Sequence, residues 1–185
     1  MERIRSDFHA YLKQCEIRFV FNEESKTTLI TRDNRGGLDL TEIIELPEHV
    51  IFSNSGSVAL CKLKMLSEYT IFCNGGSVWL GCLTVLPKHT IFCNGSFVLM
   101  DSVLALPEPM IFSNQGKIGL CSLSGIPDYT VFNNDGDIDI RSVTNIPEHV
   151  VFNNKSRVAF RQLTNIPEHV VFCHGSYPEL NSVTG

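Results

Sequence analysis

Apolar and polar positions follow one another in a block that returns every twenty residues along most of the chain. Residues 144–154, TNIPEHVVFNN, come back at 164–174 as TNIPEHVVFCH. A phenylalanine marks each block, and an asparagine follows two residues later in all but the last. The phenylalanines are Phe52, Phe72, Phe92, Phe112, Phe132, Phe152 and Phe172. A fixed period of this length, without insertions, indicates a repeat protein whose units stack on one another.

One repeat approximates P-E-H-V-I-F-x-N-x-G-x-V-x-L-x-x-L-x-x-I. Proline fixes its own φ and favours an extended residue before it, so each repeat begins at a corner. The β-branched and aromatic residues up to phenylalanine predict a strand, N-x-G predicts a turn, and V-x-L predicts a second strand. We therefore expect a mainly β fold, a single parallel β-solenoid of about eight coils spaced about 4.8 Å apart.

The N-terminal segment has a different pattern. Residues 2–17 carry apolar side chains at helical spacing, which predicts an amphipathic helix that caps the open end of the core. A degenerate first repeat occupies 27–46, with Arg32 where the phenylalanine should stand. The expected organisation is a cap of helix and strand over 1–26 and a solenoid over 27–185.

Equivalent side chains should stack on one another inside such a solenoid. Phenylalanine then lies on phenylalanine, and the asparagines form a column of amides that satisfies backbone groups at a buried turn. His174 ends the asparagine series, and we interpret it as an edge substitution and not as a catalytic residue.

The repeat resembles two groups of known proteins. L-x-x-L at Leu63 to Leu66 and L-x-x-L-P at Leu83 to Pro87, with the twenty-residue period, resemble the short leucine-rich repeats of bacterial effector proteins. The F-x-N-x-G-x-V-x-L block is similar to poorly characterised tandem repeats of bacterial and phage proteins. These resemblances imply a leucine-rich-repeat-like or β-helix solenoid that binds a protein, and for an effector one that inhibits its partner. They carry over no functional residue.

Variable outward positions on a fixed scaffold are where a solenoid places its function. On the V-x-L strands, Trp79, Phe97 and Leu99 should lie side by side on adjacent coils and point to water, as interface anchors do. The alternative for these three is scattered surface apolar residues or cover by a terminal segment. The polar part of the predicted binding surface consists of Asp101, Lys117, Asp137, Asp139, Arg141, Arg157 and Arg161. For its charged residues, the interpretation that we favour is a cross-strand ion network, because opposite charges on neighbouring strands attract.

Metal-ligand residue types recur without a metal-site pattern. Histidine or tyrosine follows an acidic residue in most coils, as in Glu48-His49, and we interpret these as stacked corner residues. Cys73 and Cys93 occupy equivalent positions, which favours a small polar column over a zinc site. Arginines should neutralise the aspartates of the 133–141 coil, which argues against calcium. No metal or cofactor is predicted.

Composition narrows the partner classes. Hydrophobic residues make up 43% of the chain, but no apolar run approaches the roughly 18 residues of a membrane span. A net charge of −5 and a pI of about 5.6 disfavour nucleic acid as the partner. The first residues lack the apolar region of a secretory signal. Seven scattered cysteines, an odd number, predict free thiols in a reducing cytosol, that of the producing cell or of a host.

The sequence as a whole predicts a non-enzymatic module that binds another protein through its variable strand face. One alternative is a carbohydrate-active β-helix enzyme that uses Asp137 and Asp139. Another is a structural solenoid, because a final repeat that stops at 183–185 leaves a strand edge able to form a homodimer through the C-terminal coil.

Overall fold

The computed structural model describes residues 1–31, 36–163, 165–173 and 175–180. They form one helix and a long series of short strands. In chain order the elements are α1 (Glu2–Gln14), β1 (Phe19–Asn22), β2 (Thr27–Ile30), β3 (Leu38–Asp39), β4 (Val50–Phe52), β5 (Val58–Ala59), β6 (Ile71–Phe72), β7 (Val78–Trp79), β8 (Ile91–Phe92), β9 (Val98–Leu99), β10 (Ile111–Phe112), β11 (Ile118–Gly119), β12 (Val131–Phe132), β13 (Ile138–Asp139), β14 (Val151–Phe152), β15 (Arg157–Phe160), β16 (Val171–Phe172) and β17 (Tyr177–Leu180). Arg32, His174 and the chain end at 183–185, on which the sequence made predictions, lie outside the described residues.

The strands form two sheets that run along the molecule. The first sheet has the order β1-β2-β4-β6-β8-β10-β12-β14-β16, and the second the order β3-β5-β7-β9-β11-β13-β15-β17. Each strand from β2 onward pairs in parallel with its equivalent in the next coil, so Phe52 lies opposite Phe72 and Val58 opposite Val78. Only β1 pairs antiparallel, with β2, among the described strands. The predicted parallel β-solenoid is confirmed.

The phenylalanine column is the centre of the hydrophobic core. The rings from Phe52 to Phe152 are fully buried, and Phe172 at the end of the column is half-buried. Successive rings stack with centroids 5.0–5.8 Å apart and planes 2–20° from parallel. This spacing matches the distance between neighbouring strands, because each coil contributes one ring to the column.

The asparagine column is also confirmed, with a hydrogen-bond pattern of its own. The six side chains from Asn54 to Asn154 are at most 1% exposed. Asn74 Nδ2, for example, donates to Gly76 O of its own coil at 3.0 Å and to Gly56 O of the preceding coil at 2.9 Å. The amides therefore join the turns of adjacent coils through backbone carbonyls, not through one another.

The predicted N-terminal helix covers the first coils. Phe8 and Leu12 of α1 are buried in the core, and the His9 ring stacks on Phe19 of β1 with centroids 4.7 Å apart. His9 Nε2 also lies 2.8 Å from Thr28 Oγ1 on β2. Burial lowers the pKa of His9, which favours the neutral imidazole at this contact. The helix thus caps the core, as its apolar face predicted.

Candidate functional site

The three apolar residues predicted as anchors lie together on the outer face of the second sheet. Trp79 and Leu99 are register partners on β7 and β9, and the rings of Trp79 and Phe97 meet edge to face with centroids 5.6 Å apart. All three side chains are half-buried because they cover one another. A Cβ at Gly119 would lie 2.9 Å from Leu99 Cδ2, so Leu99 also leans over that glycine. The three side chains lie together, as predicted. Because they are half-buried, they offer a partner less apolar surface than three exposed side chains would.

Asp101 and Cys121 continue this face toward the C-terminus. Asp101 is exposed, and its Oδ1 accepts a hydrogen bond from the Cys121 backbone N–H at 3.4 Å. Burial, followed by the contact with Asp101, raises the pKa of Cys121 to about 12. The Cys121 thiol is therefore protonated at neutral pH and is a poor nucleophile.

The predicted charged residues form an ion-pair network around Asp139. Asp139 is buried, with 7% of its surface exposed. Its carboxylate accepts hydrogen bonds from Arg141, whose Nε lies 2.9 Å from Oδ1 and whose Nη2 reaches Oδ2. Lys117 Nζ lies 3.5 Å from the same Oδ2. The hydrogen bonds from Arg141 hold the pKa of Asp139 below its usual range. The Asp139 carboxyl group is therefore ionised at neutral pH, and Arg141 and Lys117 balance its negative charge.

Arg157 continues the network to the last coil. Its Nη2 lies 2.9 Å from Asp137 Oδ2, and its Nη1 lies 2.9 Å from Glu179 Oε2. Ser156 Oγ also donates to Asp137, and this bond is the first cause of its lowered pKa. A glycosidase pair needs one carboxyl group that is protonated as a general acid. Low pKa values at Asp137 and Asp139 do not provide one.

A column of rings runs along a corner of the solenoid beside the first sheet. His49, Tyr69 and His89 stack with centroids 4.6–4.8 Å apart, and Tyr129 stacks on His149 at 4.6 Å. His49, Tyr69, His89 and Tyr129 share a φ of 57–60°, a left-handed conformation that is repeated from coil to coil. The prediction of stacked corner residues is confirmed. Pro109 interrupts the column between His89 and Tyr129.

A groove of about 570 Å³ lies at this interruption. Its floor is formed by outward side chains of the first sheet, chiefly Ile91 and Ile111, which are 46% and 55% exposed. The equivalent Ile71 and Val131 on either side are half-buried. We attribute the difference to Pro109, whose small pyrrolidine ring covers less of the neighbouring aliphatic side chains than a histidine or tyrosine ring would.

Tyr69 and His89 stand at one side of the groove, and Lys88 and Glu108 add one charge of each sign. The sequence reasoning missed this site because it assigned function to the V-x-L strands alone. The available signal was Pro109 in a position otherwise held by histidine or tyrosine, next to outward isoleucines.

Cys73 and Cys93 are joined by a disulfide, with Cα atoms 4.8 Å apart. The prediction that all cysteines are free is wrong for this pair. Equivalent residues of adjacent parallel coils lie one strand spacing apart, which falls within the Cα–Cα range of disulfides. The remaining cysteines are free, namely Cys15, Cys61, Cys82, Cys121 and Cys173. These two cysteines therefore do not support the predicted reducing compartment.

Replacing Cys73 and Cys93 together by serine should lower the free energy of unfolding by about 3 kcal/mol, because the bond closes a 20-residue loop in the unfolded chain. Ser53 and Ser113 occupy the equivalent positions, so the fold accommodates serine there. Urea unfolding with and without a reductant measures the effect. The wild type should lose a similar amount on reduction and the double variant nothing. A wild type that is insensitive to reductant would contradict the prediction.

Comparison with known proteins adds no relative. No protein-family model, curated protein or solved structure matches the chain. Neither resemblance drawn from the repeat motif is therefore supported by a match. The fold itself defines the class, a β-solenoid repeat protein with a twenty-residue unit.

Within the described ranges, no helix is long and apolar enough to cross a membrane. In the same residues, no group of three or more histidine, cysteine, aspartate or glutamate side chains is arranged to hold a metal ion.

Proposed function

We propose that this chain is a non-enzymatic protein-binding module that holds an extended, apolar segment of a partner protein in the groove at Pro109. The observation that carries the proposal is the break in the ring column, which exposes Ile91 and Ile111 at the floor of a concave apolar surface. Pockets of a few hundred cubic ångströms with apolar walls and a few polar groups are typical of binding sites.

The shape of the floor favours an extended segment. Ile71, Ile91 and Ile111 belong to three successive coils, so the groove follows the solenoid axis over two strand spacings, about 10 Å. An extended chain covers that distance with about three residues. Lys88 and Glu108 lie at the groove with opposite charges and can fix the direction of the bound segment through its polar groups.

We favour the groove at Pro109 over the surface of Trp79, Phe97 and Leu99 because the groove leaves more apolar area uncovered. Trp79, Phe97 and Leu99 already bury part of their area against one another, whereas Ile91 and Ile111 remain 46% and 55% exposed. Burial of that exposed area is the expected driving force for binding. Inhibition of the partner, the role implied by the resemblance to effectors, would follow where the bound segment is part of the partner's working surface.

Pro109→Tyr tests the proposal by placing in the groove the aromatic ring that the neighbouring coils carry at this position. Tyr69 and Tyr129 occupy the equivalent position, so the repeat accommodates the ring. Random heptapeptides displayed on phage would be selected on the immobilised wild type, and the dissociation constants of the enriched peptides would then be measured. We expect apolar peptides that bind P109Y at least about tenfold more weakly, which corresponds to about 1.4 kcal/mol.

Two matched comparisons make the result specific. Ile111→Lys should weaken the same peptides, whereas Val151→Lys, at the equivalent outward position two coils away, should not. The double variant Trp79→Ala/Phe97→Ala should also bind normally. Peptides that are lost with Trp79→Ala/Phe97→Ala and retained by P109Y would place binding on the second sheet and contradict the groove proposal.

A further inference from the structure

A small charged cup lies on the second sheet, on a different surface from the apolar groove. Its volume is about 260 Å³, and its floor is Ala159. Arg157 and Arg161 flank Ala159 on the same segment, at the outward positions before and after it. The preceding coil contributes Asp139, the register partner of Ala159, together with Arg141. The small methyl group of Ala159 thus leaves a depression surrounded by long charged side chains.

Positive charge is in excess at this cup. Four cations, Lys117, Arg141, Arg157 and Arg161, line it. Three carboxylates take part in their ion pairs, those of Asp137, Asp139 and Glu179. Arg161 is exposed and has no ion-pair partner among the described residues. A local excess of cations on a chain with a net charge of −5 favours an anionic ligand.

The arginines of the cup retain unused hydrogen-bond donors. Arg141 uses Nε and Nη2 on Asp139, and Arg157 uses Nη1 and Nη2 on Glu179 and Asp137. Since a guanidinium has five N–H groups, Arg141 and Arg157 each keep donors, and the Arg161 side chain donates to none of the described residues. The three groups stand at three different positions around Ala159.

We propose that this cup binds a phosphate group. A carboxylate presents two oxygens, whereas a phosphate ester presents three terminal oxygens and can accept from three guanidinium groups at once. The small volume admits one such group and excludes a bulky ligand. This site is independent of the apolar groove and of what that groove binds.

Isothermal titration of the whole protein with inorganic phosphate, at constant ionic strength, tests the proposal. Arg161→Gln removes the unpaired guanidinium and should weaken binding about tenfold or more, the effect of losing a charge-assisted hydrogen bond. Ala159→Leu fills the floor and should do the same, and Leu99 shows that the equivalent outward position accommodates leucine. Arg3→Gln removes an exposed arginine of the distant helix α1 and is the matched control.

The outcomes separate a built site from a general charge effect. Saturable binding that Arg161→Gln and Ala159→Leu weaken, and that Arg3→Gln leaves unchanged, supports the proposal. Absence of saturable binding overturns it, as does an equal loss in Arg3→Gln. In the wild type, a phosphoserine heptapeptide and glycerol phosphate are then compared with inorganic phosphate. Tighter binding of the first assigns the site to a phosphorylated protein, and tighter binding of the second assigns it to a small phosphate ester.

Discussion

Phe112→Ala should lower the free energy of unfolding by about 4 kcal/mol, near the top of the range for single core substitutions. The Phe112 ring is fully buried and stacks between Phe92 and Phe132, with centroids 5.8 and 5.3 Å away. Alanine removes the ring and leaves a cavity that the repeating backbone cannot close, because the coils above and below hold their spacing. Urea unfolding followed by circular dichroism measures the loss.

Two further variants locate the effect in the stack. Phe172→Ala, at the end of the column, should have a clearly smaller effect, because Phe172 is half-buried and stacks on Phe152 at 5.1 Å. Phe112→Leu keeps most of the apolar volume and should lose about 1–2 kcal/mol. Equal losses for Phe112→Ala and Phe172→Ala would show that the phenylalanines do not form one continuous core.

The fold was predictable because the repeat fixes the register of every strand. With a spacing of twenty residues and no insertions, Phe112 can pair only with Phe92 and Phe132 if the inward side chains are to stay inward. The helix over the first coils followed from apolar spacing in the same way. The lengths of the strands were not predictable, since most of them pair over only two residues.

The candidate sites were predictable only in part, because they depend on how neighbouring side chains cover one another. Register placed Trp79 beside Leu99, but their mutual burial comes from ring packing that no period encodes. The groove arises because Pro109 replaces the histidine or tyrosine of the neighbouring coils, and the repeat motif does not indicate which side chains such a replacement leaves uncovered. The Cys73–Cys93 disulfide could have been predicted, because the spacing of about 4.8 Å between adjacent strands lies within the Cα–Cα range of disulfides. The odd number of cysteines led the prediction away from it.

Asn114→Asp should destabilise the protein by about 4 kcal/mol at neutral pH, a penalty that acid reduces. Asn114 is 1% exposed, and its Nδ2 donates to Gly116 O at 2.9 Å and to Ser96 O at 3.1 Å. An ionised aspartate has the same shape but no donor, so its charge would face two carbonyl oxygens away from water. Burial and these oxygens both favour the protonated acid and raise its pKa in the folded state.

The pH dependence of the penalty follows from that raised pKa. Below about pH 3 the carboxyl group is protonated in both folded and unfolded chains, and its O–H can still donate to one carbonyl. Above that pH the unfolded chain releases the proton first, so the stability of the variant falls until the pH passes the folded-state pKa. Urea unfolding at pH 4 and pH 7 measures the change in the deficit relative to the wild type.

Asn145→Asp is the control for this experiment, because Asn145 is exposed and the same residue change there buries no charge. Its effect should stay within about 0.5 kcal/mol at both pH values. A deficit for Asn114→Asp that is the same at pH 4 and pH 7 would mean that the carboxylate finds donors or water in the column. In that case the hydrogen bonds from the position-114 amide to the carbonyl groups of the two turns would not be needed for stability.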